Sequence, residues 1–109
     1  MLLHVGPLPA EALAASAAFH ADVLPRITAA LGGGAPVLTL VFAPAGHEHR
    51  AWRTAAVQTL ARNFAPNRIN AVASDDEAAV AATHAWLESA PGLTGHYLIL
   101  DGNGARAVV

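Results

Sequence analysis

Apolar residues change period repeatedly along this chain, and each change marks the boundary of an element. Leu2 to Val5 is a short apolar run stopped by Gly6-Pro7, which reads as a brief strand and a turn. Pro9 to Leu31 is alanine-rich with helical spacing, its polar residues Glu11, Ser16, His20, Asp22 and Arg26 scattered around it. Pro25 falls inside this segment and should kink it, and Gly32-Gly33-Gly34 supplies the stop. Pro36 to Phe42 is a near-continuous apolar run containing valines, the pattern of a strand covered on both faces. After the break at Ala43-Pro44-Ala45-Gly46 a second helix runs from about His49 to Phe64. Trp52, Ala56, Leu60 and Phe64 form its stripe, with Val57 and Ala61 beside it, and Pro66 ends it.

Arg68 to Ala73 reads as a third strand. Ser74-Asp75-Asp76-Glu77 then has the look of a helix start, a capping side chain followed by acidic residues that the helix dipole favours. That helix continues to about Ser89 and carries Val80, Ala81, His84 and Leu87. Pro91-Gly92 turns the chain into a fourth strand, His96 to Leu100, ahead of Asp101-Gly102-Asn103-Gly104. Strict alternation of strand and helix predicts a parallel α/β sheet with right-handed crossovers. There is no internal repeat and no low-complexity linker.

Length and composition narrow the possibilities. A chain of 109 residues fits one domain, spanning 1–109. It is 54% hydrophobic and 13% charged, against about 25% charged in an average soluble domain. So little polar material on a small body points to apolar surface that meets another protein. The net charge of −2 comes with no basic cluster, so neither nucleic acid nor an anionic membrane is expected as a partner. The start of the chain has no basic region and no long apolar run, unlike a signal peptide. No stretch approaches the ~18 to 20 apolar residues of a membrane span. With no cysteine, disulfides and thiolate chemistry are excluded, and a cytoplasmic location is expected. The sequence contains no lysine and only one tyrosine, Tyr97, which excludes any lysine base, Schiff base or phosphate-gripping lysine.

Three blocks together resemble the C-terminal half of a short-chain dehydrogenase/reductase. Leu60 to Ala73 (LARNFAPNRINAVA) is similar to that family's helix-into-strand passage, and Leu93 to Gly102 (LTGHYLILDG) to its closing Thr-Gly…Asp-Gly strand. The helix between them, EAAVAATHAWLESA, has the matching spacing. DVLPRI and PVLTLVFAPAG follow the family's fourth helix and fifth strand. The resemblance implies half of a Rossmann-like doubly wound fold, with about four parallel strands alternating with three helices.

It also implies what this chain does without. The family's first half, with the glycine-rich turn that holds a dinucleotide, has no counterpart, and Leu2 to Gly6 stands where the family has Asn-Asn-Ala-Gly. Gly32-Gly33-Gly34 does not replace that turn, because it precedes a strand and a phosphate loop must precede a helix. Counting from Pro25, Gly46 and Pro66, the family's catalytic asparagine, serine, tyrosine and lysine fall at about Ala12, Ala43, Gly46 and Arg50. Arginine stays protonated and cannot act as the lysine does. Ser74-Asp75 replaces the family's Pro-Gly, and its substrate loop is absent. No catalytic, cofactor-binding or metal-binding residue is therefore assigned, and no cofactor is expected.

Other candidates have simpler readings. His47-Glu48-His49-Arg50 offers a metal or acid–base site, with His4 or Asp101 as further ligands, but residues two apart on a helix diverge, which favours a solvated helix start. His20, His84 and His96 read as surface or half-buried polar residues. Asp101 to Gly104 lacks the spaced oxygens and late glutamate of a calcium loop and reads as a turn. Tyr97, Trp52 and Trp86 read as packing or contact residues.

A sheet beginning at the family's fourth strand leaves an open edge, an aggregation hazard unless covered. In the resembled family the long helices form a dimer's bundle, and the last strand lies in a second subunit interface. The expected function is a non-catalytic subunit, forming a homo-oligomer or a hetero-oligomer with a full-length member of the family. Its expected interface residues are Phe19, Val23, Trp52, Phe64, Trp86 and Tyr97. One alternative is a small-molecule or nucleotide-binding module using the crevice near Gly6, Ala43 to Gly46 and Ser74. Another is residual catalysis through His47 or His49.

Overall fold

The computed structural model describes residues 1–100 and the backbone of 107–108. Five strands form one sheet in the order β1 (Leu2–His4), β2 (Val37–Phe42), β3 (Arg68–Ala73), β4 (Tyr97–Leu100), β5 (Ala107–Val108). The first four are parallel and β5 pairs antiparallel with β4. The four parallel strands are the α/β sheet expected from the alternating pattern, in the Rossmann-like arrangement that the resemblance implied. The turn expected at Asp101 to Gly104 lies outside the described residues.

The first helical segment is three pieces in line: α1 (Ala12–Ala18), a π-helical turn at Phe19–Val23, and α2 (Leu24–Gly32). Glu11 caps α1, its carboxylate accepting from the N–H groups of Leu13 (2.9 Å) and Ala14 (3.0 Å). Those bonds hold its pKa below the ordinary carboxylate value. Pro25 has no N–H to donate, and its ring excludes the carbonyl one turn back. The chain widens just before it, where the Leu24 N–H reaches back to the Phe19 carbonyl. A π turn placed ahead of the proline thus takes up the interruption. After α2, Gly34 adopts φ +97°, a conformation that favours glycine.

Alternation along β2 and β3 sorts side chains to two faces. Leu38, Leu40 and Phe42, with Ile69, Ala71 and Ala73, meet Phe19, Val23 and Ile27 from the first helical segment and Ala56, Val57 and Leu60 from α3 (Arg50–Asn63). Val41, Val72 and Leu100 face the other way, against Ala79 and Val80 of α4 (Glu77–Glu88). The strands follow one another across the sheet in chain order. Two connections cover one face and the third covers the opposite face. Connections stepping the same way on opposite faces have opposite hands, so the expectation of uniformly right-handed crossovers fails at α4.

Polar contacts hold α4 in this position. Asp76 caps its start, accepting from Ala78 and Ala79 N–H groups. Arg68, the first residue of β3, caps its end by donating to the carbonyls of Leu87 (2.9 Å), Glu88 (3.1 Å) and Ala90 (2.7 Å). His84 bonds the Thr39 hydroxyl through Nδ1 (2.7 Å) and lies 3.1 Å from the Met1 amine through Nε2. Its flank of α4 therefore looks toward β2 and β1.

The residues that carried the family resemblance have structural work in this fold. Asn70 is fully buried, donates to the Leu93 carbonyl (3.1 Å) and accepts from the His96 N–H (3.0 Å). The Thr94 hydroxyl accepts from the Ile69 N–H (3.1 Å), and Gly95, at φ +79°, donates to the Ile69 carbonyl (2.7 Å). Together they pin the turn that delivers β4 to the sheet.

Arg68→Met removes three charge-assisted bonds to α4, and we expect it to lower unfolding free energy by about 1.5 to 3 kcal/mol in urea titrations. Burial holds the His84 pKa below its ordinary 6.5, aided by the Met1 ammonium and opposed by Glu88. The unfolded chain therefore binds this proton first as pH falls. The contribution of neutral His84 is full above about pH 6.5 and is lost as pH drops through the lower folded value. Thermal unfolding of His84→Gln between about pH 7 and pH 5 should show a shallower dependence than the parent.

Candidate functional site

Both β1 and β2 end on residues that cannot fill space. β1 runs into Gly6, at φ +84°, and β2 into Ala43-Pro44-Ala45-Gly46. The result is a crevice of about 340 Å³ at the carboxyl ends of the strands, walled by Leu8, Phe42, Pro44, Glu48, His49 and Arg53 among others. This matches the crevice expected near Gly6 and Ala43 to Gly46. Ser74 borders a separate neighbouring hollow, which shares Gly6 and Ala43.

Arg53 is the unexpected member. It is 4% exposed, near the start of α3. Its Nη1 donates to the Ala43 carbonyl (2.9 Å) and to the Tyr97 hydroxyl (3.1 Å), while Nε is buried without a partner. The guanidinium lies 4.4 Å from the centre of the Phe42 ring and 5.8 Å from that of Trp52. Among the described residues the only ion pair is His84–Glu88, so none of their carboxylates neutralises Arg53. The sequence did carry a sign of this residue. Arg53 stands on the stripe of Ala56, Val57 and Leu60 at i, i+3, i+4 and i+7 spacing, where an apolar side chain belongs.

His49 is 6% exposed and occupied at both ring nitrogens. Trp52 Nε1–H donates to Nδ1 (3.0 Å), so the ring hydrogen is on Nε2, which donates to the Ala10 carbonyl (3.0 Å). The acid–base reading of His49 therefore lacks a free nitrogen. His47 lies away from this crevice, with Arg50 on a shallow hollow along the outer side of α3. Among the described residues no three His, Asp or Glu side chains gather as metal ligands. Asp101, considered with them, lies outside the described residues. His20 Nδ1 is bonded to the Ser16 carbonyl of its own helix (2.7 Å).

The positions matching the family's catalytic set are dispersed. Ala43 and Gly46 line the crevice, Ala12 does not, and Arg50 is exposed outside it. A side chain at Gly46 would run into the Glu48 carboxylate. The expected interface residues divide as well. Phe19 and Val23 are core residues packed against the sheet and offer no outer surface. Trp52 and Phe64 are half-buried in a groove of about 420 Å³ between the first helical segment and α3. Tyr97 is half-buried with its hydroxyl on Arg53. Only Trp86, 53% exposed, is a large outward-facing aromatic.

The family model described as SDR-like, short chain dehydrogenase-like protein, matches residues 3–100. No curated protein and no solved structure matches the chain. Among the described residues no helix is long and apolar enough to cross a membrane.

The Trp52–His49–Ala10 chain ties the start of α3 to the segment after β1. Trp52→Phe should destabilise the fold by about 1 kcal/mol in denaturant titrations through the lost bond. In ¹⁵N-detected spectra it should release the parent's fixed Nε2–H tautomer of His49.

Proposed function

The chain belongs to the short chain dehydrogenase-like family, and from that membership we propose that it is a non-catalytic subunit that assembles with a second copy of itself through α4 and β4. The observation that carries this reading is the incomplete cover of β4. A parallel strand is ordinarily buried on both faces. β2 and β3 are buried along nearly their whole length, whereas Tyr97, Leu98 and Ile99 of β4 are all only half-buried. On the α4 face Leu98 is half-buried beside the cluster of Val41, Val72, Leu100, Ala79 and Val80, and Trp86 of α4 is 53% exposed. Large aromatics at the centre of such a surface are the usual anchors of an interface.

The other surfaces expected to assemble are better closed. β1 is the edge strand, but it is three residues long, and Arg26 donates to the outward carbonyl of His4 (2.7 Å). A guarded short edge resists pairing with another chain. The absence of chemistry is supported by the alanine and glycine at the crevice positions that match the family's serine and tyrosine.

Light scattering should give twice the chain mass of 11.1 kDa for the parent. Trp86→Glu should weaken association by at least about tenfold without changing the circular dichroism. A parent that stays monomeric at every concentration and captures no co-expressed intact relative would overturn the reading. A dimer indifferent to Trp86→Glu would move the interface elsewhere. Capture of an intact relative in place of self-association would replace the second copy as partner.

A further inference from the structure

Arg53 is a buried cation on the wall of a crevice whose one lining carboxylate, Glu48, does not pair with it. Its Nη1 hydrogens are used by Ala43 and Tyr97, and Nε has no partner among the described residues. The Phe42 and Trp52 rings spread part of the charge, but neither supplies a negative group. The crevice it lines is open at the strand ends and large enough for a small organic molecule. We propose that this crevice binds a small organic carboxylate, the carboxylate group pairing with the Arg53 guanidinium.

The lining selects that chemistry. With Nη1 engaged and Nε buried without a partner, Nη2 is the guanidinium nitrogen left to donate to a carboxylate oxygen. A phosphate dianion fits less well. Among the lining residues Arg53 is the only arginine, and Glu48 adds a negative charge that repels a second one on the ligand. Leu8, Pro9, Phe42 and Pro44 offer apolar surface for a hydrocarbon body. His49 has both ring nitrogens bonded, to Trp52 and Ala10, and offers neither to the ligand. Binding here does not depend on assembly through α4 and β4, so either can fail alone.

The test titrates the parent protein with sodium benzoate, benzamide and sodium phosphate, using calorimetry and the arginine Nε resonances. Benzoate should bind at least about tenfold more tightly than its neutral amide and more tightly than phosphate, and should shift the Arg53 Nε signal. Arg53→Met should abolish benzoate binding. Glu48→Gln, a change at an exposed residue, should tighten it by about three- to tenfold by removing a nearby negative charge. Should Arg53→Met fail to fold, Glu48→Gln and the Nε shift decide. Benzoate binding no tighter than benzamide, tighter binding of phosphate, or an unmoved Arg53 Nε signal at saturation each overturn the proposal.

Discussion

Parallel strands bury both faces, and the helices available to cover this sheet are unevenly placed. The segment of α1, the π turn and α2, together with α3, covers β2 and β3 on one face, so Leu38, Leu40, Ile69 and Ala71 are fully buried there, while Tyr97 and Ile99 of β4 are half-buried. The other face has α4 alone. One helix spans about 10 Å with its side chains, roughly the width of two strands, and cannot shield four. Tied to β2 by His84 and Thr39 and to β3 by Arg68, α4 buries Leu100 of β4 but leaves Leu98 half-buried. The half-buried Leu98 traces to this shortage of cover.

The same arrangement explains why an arginine can be buried near the start of α3. Taking a guanidinium out of water costs several kcal/mol unless it is paired and bonded. Here the Ala43 carbonyl, freed where β2 ends, and the Tyr97 hydroxyl from β4 reach the same Nη1 atom from two strands. Cation–π contacts with Phe42 and Trp52 recover about 0.5 to 2 kcal/mol. That offsets part of the cost and leaves a positive crevice wall. His49 shows the opposite outcome a few residues earlier: its two nitrogens are both bonded, which makes it a structural post between α3 and Ala10.

The local patterns identified the elements well because each depends on neighbours in sequence. The valine-rich run of β2, Arg68 to Ala73 of β3 and the acidic start of α4 sit where their periods and caps put them. Pro25 was a sound marker of a broken helix, although a proline alone does not say whether the helix bends or widens into a π turn. Phe19 and Val23 show the limit. Helical spacing puts both on one apolar face, but only the packing of this segment decides that the face meets the sheet and not a partner. The crevice was foreseeable from glycine and alanine at the ends of two strands. Arg53 was readable as a charge on an apolar stripe, and its bond to Tyr97 was not, because the two residues lie on separate elements brought together by the sheet.

By itself, then, the sequence determined the strands and helices and their parallel order. These follow from residue type and short-range periodicity. Tertiary structure alone decided which face α4 covers, which aromatic stays outside, and which charge is buried. Those outcomes depend on the packing of elements distant in sequence, where Arg68 meets the end of α4 and Tyr97 meets Arg53.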